Sequence, residues 1–221
     1  MTVTHQQAKG RDTVPFAISL RGVEKTFGAV RANHNIDLDI CTGDIHGIIG
    51  ENGAGKSTLV SILYGFYQAD AGTISVFGEE KTLRSTADAI AAGIGMVHQH
   101  FMLVPTFTVL ENIILGHEGT DSLAKGFEVA RVELAQLATR YGLDVDLDAI
   151  IEDFPVGLQQ RVEILKALYR GANILILDEP TSNLDKRGIA WFQELLNSHS
   201  QGKTVIIGSN HNPDETENSP A

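Results

Sequence analysis

A glycine-rich segment between an apolar run and a helical pattern places the strongest limit on how this chain folds. Residues 50–57 read Gly-Glu-Asn-Gly-Ala-Gly-Lys-Ser and match the phosphate-binding pattern G-x-x-x-x-G-K-[ST]. The apolar run Ile45–Ile49 precedes them, and Lys56–Tyr67 has the pattern of a helix. Glycines let consecutive backbone N–H groups face a phosphate, and the positive end of the new helix points at the same place. We therefore predict a phosphate cradle between a strand and a helix.

The cradle is predicted to hold a nucleoside triphosphate together with its metal ion. The ammonium of Lys56 supplies a mobile positive charge to the β and γ phosphates, and the hydroxyl of Ser57 is a ligand for Mg²⁺. The alternative is a glycine-rich turn that only happens to precede a lysine, and the full match at a strand–helix junction disfavours it. The residues predicted to bind ATP here are Gly50, Asn52, Gly53, Ala54, Gly55, Lys56, Ser57 and Thr58.

Two adjacent acids at the end of a second apolar run predict the rest of the catalytic site. Ile174–Leu177 is followed by Asp178, Glu179 and Pro180. Ligands of open α/β sheets bind at the carboxyl ends of strands. Asp178 is predicted to hold Mg²⁺ through water, and Glu179 to polarise the attacking water. The alternative is that both acids only cap a strand at the surface, which the phosphate cradle elsewhere in the chain disfavours.

Short apolar runs separated by helical patterns predict an α/β fold of the P-loop NTPase type. We expect a mainly parallel core sheet and an N-terminal antiparallel β subdomain, because the first strands alternate apolar and polar residues. The strands predicted to alternate are Phe16–Leu20 and Ile36–Ile40, and Ile74–Phe77 is a further short strand. The runs typical of a buried parallel sheet are Ile94–Val97, Ile174–Leu177 and Val205–Ile207, with a helix predicted at Asp185–Asn197.

The middle of the chain predicts a helical subdomain inserted into the α/β domain at about residues 100–170. Strand signals disappear between Val109 and Arg170, and apolar residues there recur at helical spacing. The ATPase domain is predicted to span residues 14–211, with polar, disordered tails at residues 1–13 and 212–221. The apolar stripe consists of Phe127, Ala130, Leu134, Leu137 and Tyr141.

The acidic charge balance disfavours nucleic acid as a partner. The net charge is −11, with 28 acids against 17 bases, so a nucleic-acid partner is disfavoured because phosphate neutralisation needs clustered Lys and Arg. We expect no signal peptide, because residues 1–13 are polar, and the sequence contains no run near the roughly 18 apolar residues of a membrane helix. The single cysteine, Cys41, is predicted to be a buried small side chain, and His46 a packed core residue.

Further motifs give the chain a resemblance to the nucleotide-binding subunits of ABC transporters, from about Phe16 to His211. Gln99, within Val97–Phe101, resembles the Q-loop glutamine, which implies contacts to Mg²⁺ and the attacking water. His98 and His100 beside it are interpreted as structural. His211 resembles the switch histidine that touches the γ-phosphate. Phe27 lies where the family places the ring that stacks on adenine; a plain core phenylalanine is the alternative.

The resemblance also implies how two cassettes meet. Ser182–Asp185 resembles the D-loop, which contacts the opposite cassette. The family's Leu-Ser-Gly-Gly-Gln signature, which caps the ATP of the partner, falls on Phe154–Leu158. Pro155 replaces the serine and offers neither a hydroxyl nor an N–H group, and each lost hydrogen bond to a charged group is worth about 1.5–3 kcal/mol. The residues predicted to act across a dimer are Pro155, Val156, Gly157, Leu158 and Asp185.

The altered signature predicts an unequal pairing. A homodimer would have two weak sites, whereas a partner cassette with an intact signature would restore one strong site on Lys56 and Glu179 of this chain. The family usually fuses two cassettes in one polypeptide and continues beyond His211, so we expect this chain to be a truncated half. The segments Met96–Pro105, Gln159–Ile164 and Lys166–Ala172 narrow the resemblance to importers of nucleosides and simple sugars.

The resemblance implies an ATP-hydrolysing importer subunit, peripheral on the cytoplasmic face of the plasma membrane, that energises a separate permease. It also implies a second cassette and an extracytoplasmic substrate-binding protein as partners. One alternative is a soluble ABC-type ATPase that acts on another macromolecule without a permease. Another is a regulatory module that binds nucleotide without hydrolysing it, which Pro155 favours and the Asp178–Glu179 pair opposes.

Overall fold

A parallel sheet lies at the centre of the part of the chain that the computed structural model describes, residues 2–4, 15–116, 123–199 and 202–209. Its strands are mainly apolar, because a strand covered on both faces disfavours polar residues, and His46 and Thr204 are the buried polar exceptions among the described residues of these strands. The strands are β4 (Ile45–Ile49), β7 (Ile94–Val97), β8 (Ile174–Asp178) and β9 (Thr204–Ser209). Strand β4 pairs with β9, β9 with β8 and β8 with β7, all in parallel.

The outer edge of β4 is covered by the short strand β1 (Thr2–Thr4), which pairs with it in antiparallel orientation. The disordered tail predicted for residues 1–13 is therefore wrong for these three residues. An exposed sheet edge carries unpaired N–H and C=O groups, which any extended segment can satisfy. The remaining residues of both predicted tails, and His211, lie outside the described residues.

The predicted antiparallel sheet is present, but its first strands are longer than expected. β2 (Phe16–Phe27) pairs with β3 (Val30–Cys41) and with β5 (Ala71–Val76), which in turn pairs with β6 (Glu79–Glu80). The prediction ended the first strand at Leu20 because the alternation of apolar and polar residues breaks there. The break is a bulge: the register shifts between Leu20 and Val23, and Gly22 has a φ of 58°.

Two helices flank the strands as predicted, with shifted ends. Helix α1 (Lys56–Leu63) stops four residues before the predicted Tyr67, because Gly65 has a φ of 81° and packs against the backbone of Ser85. Helix α6 (Lys186–His199) starts one residue after Asp185, whose carboxylate accepts a hydrogen bond from Gly188 N. Helix α2 (Thr86–Ala91), capped by Ser85, was not predicted.

The region from residue 109 to 170 is helical, as predicted. It contains α3 (Val109–Ile114), α4 (Leu123–Tyr141), a 3₁₀ turn (Ile151–Asp153) and α5 (Val156–Tyr169). The predicted stripe of α4 faces inward, with Ala130, Leu134 and Tyr141 buried. Phe127 and Leu137 pack against the same cluster. The longest helix of the described residues is too polar to cross a membrane.

Each face of the parallel sheet is covered by a different apolar cluster. Ile48, Ile176 and Ile206 point toward α1 and the antiparallel sheet. Leu175 and Val205 belong to the opposite cluster, which extends through α5 to α3 and α4. The helical region and the sheet therefore share one continuous core, and α5 connects them. Cys41 and His46 are both buried, as predicted.

Leu134→Ala tests how far the helical region depends on this shared core. Leu134 is fully buried in α4, whereas Val132, on the same helix, is 58% exposed. We expect Leu134→Ala to lower the free energy of unfolding by about 2–5 kcal/mol, because it leaves a cavity that the neighbours fill only in part. Val132→Ala should change it by less than about 0.5 kcal/mol. Urea denaturation measures both, and equal effects would contradict the described packing.

Candidate nucleotide-binding site

The two predicted motifs meet at the carboxyl edge of the parallel sheet. Ile49 of β4 is paired with Ser209 of β9, and Asp178 of β8 is paired with Gly208. Neighbouring strands lie about 4.8 Å apart, so the ends of β4 and β8 are about 10 Å apart across β9. The glycine-rich segment starts immediately after Ile49, at Gly50. The strand order thus places Gly50, the first residue of the cradle, and Asp178 at the same edge of the sheet.

The cradle is fastened to the antiparallel sheet by a close backbone contact. Gly55 has a φ of 85°, and a Cβ at this position would lie 2.1 Å from the carbonyl oxygen of Ala32. The side-chain amide of the buried Asn33 donates a hydrogen bond of 3.1 Å to the carbonyl of Gly55. Only glycine fits this position, because any side chain would overlap the backbone of β3. The second glycine of the pattern, Gly55, is therefore required by packing as well as by conformation.

The other cradle residues form the turn between β4 and α1. Ala54 N donates to Glu51 O at 3.1 Å, and Gly53 has a φ of 83°. Asn52 and Ser57 are exposed, and Thr58 is half-buried in the first turn of α1. No side chain caps this helix start, and its first turn contains no acidic residue. A helix start of this kind favours an anion.

Lys56 lies folded against the cradle that precedes it. Its side chain is buried, and its ammonium donates hydrogen bonds to the carbonyls of Gly50 and Glu51, the latter at 2.9 Å. The cation is thus held within the turn that is predicted to surround the phosphates. This arrangement agrees with the sequence prediction of a positive charge at the phosphate position.

Asp178 and Glu179 differ in backbone conformation although they are adjacent. Glu179 has a φ of 49°, and its N–H donates to Gly208 O at 2.8 Å. Asp178 is half-buried, and this burial raises the pKa of its carboxyl group, while His98 and Lys56 act in the opposite direction. The positive φ turns the chain after Asp178, which agrees with the prediction that the two acids point to different places.

Glu179 and Gln99 line one small cavity, together with Val156 at the start of α5. The amide of Asn183 donates to the backbone carbonyl of Gln99 at 3.3 Å, so the Q-loop and D-loop segments are in direct contact. The structure thus brings together three predicted site residues from three separate segments. Gln160 lines the same cavity. It belongs to the segment Gln159–Ile164 that carries part of the resemblance, but no site role was predicted for it, because a resemblance over a segment does not show what one glutamine contacts.

His98 was interpreted as structural; its ring packs against two aromatic rings, and its charge interacts with that of Asp178, a predicted site residue. Its ring lies 5.8 Å from the ring of Tyr64 and 5.4 Å from that of Phe66, between centroids. Burial lowers the pKa of His98, which the carboxylate of Asp178 partly offsets. His100 is exposed.

Phe27 ends β2 and is 41% exposed, which excludes the plain core phenylalanine that was the alternative reading. Its ring meets that of Tyr67 edge to face, with 5.0 Å between centroids. The ammonium of Lys25 lies 5.4 Å from the centroid of the Phe27 ring. An exposed ring with these neighbours fits the predicted adenine contact, which stays a prediction.

The segment predicted to act across a dimer lies at the surface. Pro155 precedes the first residue of α5 with no side-chain cap, and it and Val156 are exposed. Gly157 and Leu158 are half-buried, and Gly157 faces the side chain of Leu184 in the D-loop segment. Asp185 is exposed one residue before α6. These positions are accessible to a partner, and their action across a dimer stays a prediction.

The residues predicted to hold a metal ion are Ser57, Gln99 and Asp178. They supply hydroxyl, amide and carboxylate oxygens, the donors that Mg²⁺ prefers. Among the described residues, no group of three or more His, Cys, Asp or Glu side chains forms a metal-binding cluster. The donor set therefore fits Mg²⁺ that is bound by one carboxylate together with substrate phosphates, rather than a metal held by the protein alone.

Comparisons with known proteins identify the family of the chain. The family described as "ABC transporter" matches residues 33–182. The nucleoside import ATP-binding protein NupA of Lactococcus lactis is 48% identical over 86% of the chain, which covers 38% of that relative. The guanosine import ATP-binding protein NupO of Bacillus subtilis is 47% identical, with the same coverage of 86% and 38%. The chain thus spans well under half the length of these relatives.

A solved structure has the same fold. The dimeric structure of a bacterial ABC transporter cassette superposes with a TM-score of 0.72 and 26% identity, covering 88% of each chain. A TM-score of this size over most of both chains shows that the sheet order and the helical region described above are those of an ATP-binding cassette fold.

Gly55→Ala tests whether the contact with β3 shapes the cradle. We expect at least a tenfold loss of ATP affinity, because the new Cβ would overlap Ala32 O and displace the loop. Gly171→Ala is the control: Gly171 has a φ of 83° but no atom within 4 Å of the added Cβ, so it carries the strain without the overlap. Isothermal calorimetry measures both affinities, and unchanged binding in Gly55→Ala would contradict the role of this contact.

Proposed function

Because the chain belongs to the ABC transporter family of ATP-binding cassettes, we propose that it binds and hydrolyses Mg-ATP and energises a separate permease that imports nucleosides or simple sugars. The observation that carries the proposal is the meeting of the cradle at Gly50–Ser57 with Asp178 and Glu179 at one edge of the parallel sheet. The substrate class rests on the names of the relatives, NupA and NupO, and on the segments that the chain shares with importers.

In the proposed reaction the protein positions ATP and stabilises the charge that develops on its phosphates. Backbone N–H groups of the cradle and the ammonium of Lys56 bind the phosphates, and Phe27 stacks on the adenine. Ser57, Asp178 and Gln99 would hold Mg²⁺, which neutralises phosphate charge when bound. Glu179 accepts a hydrogen bond from the attacking water and draws its proton. His211, outside the described residues, is proposed to contact the γ-phosphate.

The first experiment measures whether the chain binds its proposed ligand. Isothermal calorimetry with ATP, in the presence and absence of Mg²⁺, should detect binding that depends on the metal ion, because Mg²⁺ would be bound jointly by the phosphates and by Ser57, Gln99 and Asp178. No magnesium-dependent binding by folded protein would refute the proposed function as a whole.

Glu179→Gln tests the assignment of the catalytic carboxylate. The amide keeps the shape of the side chain but cannot take the proton of the attacking water, so turnover should fall by about 10²–10⁴-fold while ATP still binds. Glu152→Gln, at an exposed position in the 3₁₀ turn, is the control and should leave turnover unchanged. Phosphate release is measured for the chain alone and with a partner cassette. Unchanged turnover in Glu179→Gln would remove this residue from the mechanism.

We propose that the strong catalytic site forms with a second cassette that carries an intact signature. Pro155 at the start of α5 has no donor for the γ-phosphate of a partner's ATP, although Gly157 and the helix dipole remain. The exposed positions of Pro155 and Val156 fit a surface that faces another subunit. A regulatory module without turnover is the second candidate, favoured by Pro155. Absence of phosphate release both alone and with a partner cassette would support that candidate.

We also propose that the permease binds in the groove between α2, β7 and α5, which Tyr64 and Phe66 after the end of α1 also line. The groove has a volume of about 250 Å³ and is open at the surface beside the Q-loop, since His98 and Met102 line it. Ile94, Met96 and Ala167 supply apolar surface, and Glu163, Lys166 and Arg170 supply charge. This combination suits a short amphipathic helix, whose apolar face enters the groove.

The charged side chains of the groove indicate which charge the permease segment should carry. Glu163 accepts a hydrogen bond from Met102 N at 2.8 Å, and burial raises the pKa of this carboxyl group. Lys166 donates to Met102 O at 3.3 Å, and Arg170 to Leu115 O at 2.7 Å. Two cations against one acid leave the groove positive, so we propose that the permease segment carries an acidic residue. The protein would thereby be peripheral on the cytoplasmic face of the membrane, and an extracytoplasmic binding protein would deliver the substrate.

Lys166→Gln tests the groove as the permease contact. Removing one charge-assisted hydrogen bond should weaken permease binding at least tenfold. Lys81→Gln removes a surface lysine of the antiparallel sheet region and should have no effect. Co-purification with the membrane fraction and titration with detergent-solubilised permease provide the measurement. Equal binding by both variants would contradict the groove, and capture of a target that is not a membrane protein would favour the non-transport ATPase.

A further inference from the structure

A buried glutamine connects helix α5 to the chain immediately after Glu179. Gln160 is 1% exposed, and its side-chain amide donates a hydrogen bond of 2.8 Å to the carbonyl of Pro180. It lies within the first two turns of α5, shortly after Pro155–Leu158, the segment proposed to face a partner cassette. One hydrogen bond thus joins the partner-facing helix to the turn that carries the proposed catalytic carboxylate.

The turn at Glu179 has a conformation that needs restraint. A φ of 49° in a residue other than glycine costs about 1–2 kcal/mol and persists only where the surroundings impose it. Glu179 N is bonded to Gly208 O, which restrains the turn from the β9 side. Ser182 returns hydrogen bonds to the carbonyl of Glu179 through its N–H at 3.2 Å and its hydroxyl at 2.9 Å. Gln160 adds a restraint from a different element, α5.

The polarity of Gln160 also calls for an explanation beyond packing. Its Oε1 is buried and has no hydrogen-bond partner among the described residues. Burying an amide with one unsatisfied atom destabilises a fold relative to an apolar side chain of similar size. Among the other buried residues of this helix only Glu163 is polar, and its carboxylate accepts a hydrogen bond from Met102 N; Val162, Ile164 and Leu165 are apolar. Gln160 also lines the small cavity that contains Glu179 and Gln99.

We propose that Gln160 is a positioning residue that fixes the direction of Glu179 and couples it to the start of α5. A displacement of the partner-facing segment is transmitted through the Gln160 amide to Pro180 O, one residue from the carboxylate. The carboxylate is therefore aligned for hydrolysis when α5 is in place. The inference rests on the proposed hydrolytic role of Glu179 and assigns Gln160 no contact with the nucleotide.

Hydrogen exchange tests the contact without requiring turnover. Gln160→Leu should speed the exchange of the Glu179, Ser182 and Leu184 amides at least fivefold relative to Ile176 in β8, because the turn loses one of its restraints. Normalising to Ile176 removes any effect of overall stability, and Gln160→Met serves as a second variant if the leucine variant does not fold. Unchanged relative exchange would overturn the proposal.

Gln159→Leu is the matched control. Its amide donates a hydrogen bond of similar length, 2.9 Å, from the neighbouring position, but to Phe154 O at the start of its own helix. We expect the exchange at residues 179–184 to remain as in the unmodified chain. Equal acceleration in both glutamine variants would show a general effect of loosening α5 and would also overturn the proposal.

Kinetics separate positioning from a structural role. Gln160→Leu should lower kcat about tenfold and change the Kd for ATP less than twofold, because the cradle is untouched. In a Glu179→Gln background the same change should lower residual turnover no further, since the group that it positions is already inactive. A further loss there would contradict the proposal. If the unmodified chain neither binds nor hydrolyses Mg-ATP, the proposed function fails, while the exchange result still decides the Gln160 contact.

Discussion

The close approach of Gly55 to the backbone of β3 is the constraint on which the candidate site depends. The contact with Ala32 O and the hydrogen bond from Asn33 leave no space for a side chain, so the cradle has one position relative to both sheets. Because α1 begins at Lys56, the same contact also sets the start and direction of the helix whose positive end faces the proposed phosphate site. The antiparallel sheet therefore acts as a wall that shapes the cradle.

The parallel sheet brings the two motifs of the candidate site together. Strands β4 and β8 are separated by more than a hundred residues in sequence, yet β9 pairs with both and brings Gly50 and Asp178 to one edge. Helix α5 then joins this edge to the helical region through the continuous apolar cluster on the other face of the sheet. The side chains of one helix thus reach the groove through Lys166, the small cavity through Val156 and the turn at Glu179 through Gln160. Helix α5 is therefore the element through which the proposed coupling between a partner surface and the carboxylate would act.

Most of the strands could be predicted because buried parallel strands are apolar runs with clear ends. The end of β2 was predicted too early because of the bulge at Gly22. The register shift there interrupts the alternation of apolar and polar residues, although the hydrogen-bonded pairing with β3 continues. The early end of α1 depends on Gly65 meeting the backbone of Ser85, a tertiary contact with no local signal. In the same way, β1 forms because the edge of β4 accepts an extended segment: the β-branched residues of Thr2–Thr4 favour a strand, but three residues are too short a run to predict one.

The sequence alone determined the chemistry of the site: a glycine-rich cradle with Lys56 and Ser57, two acids after an apolar strand, and a proline where the family has a serine. These are local patterns, and each is set by what a phosphate, a metal ion or a backbone turn requires of neighbouring residues. Only the tertiary structure decided which distant residues support them. The carbonyl oxygen of Ala32 lies close to Gly55, His98 interacts electrostatically with Asp178, and Gln160 donates a hydrogen bond to Pro180 O, one residue after Glu179. Such contacts depend on how helices and strands pack across the sheet, and the type of a residue does not show which distant residue it will contact.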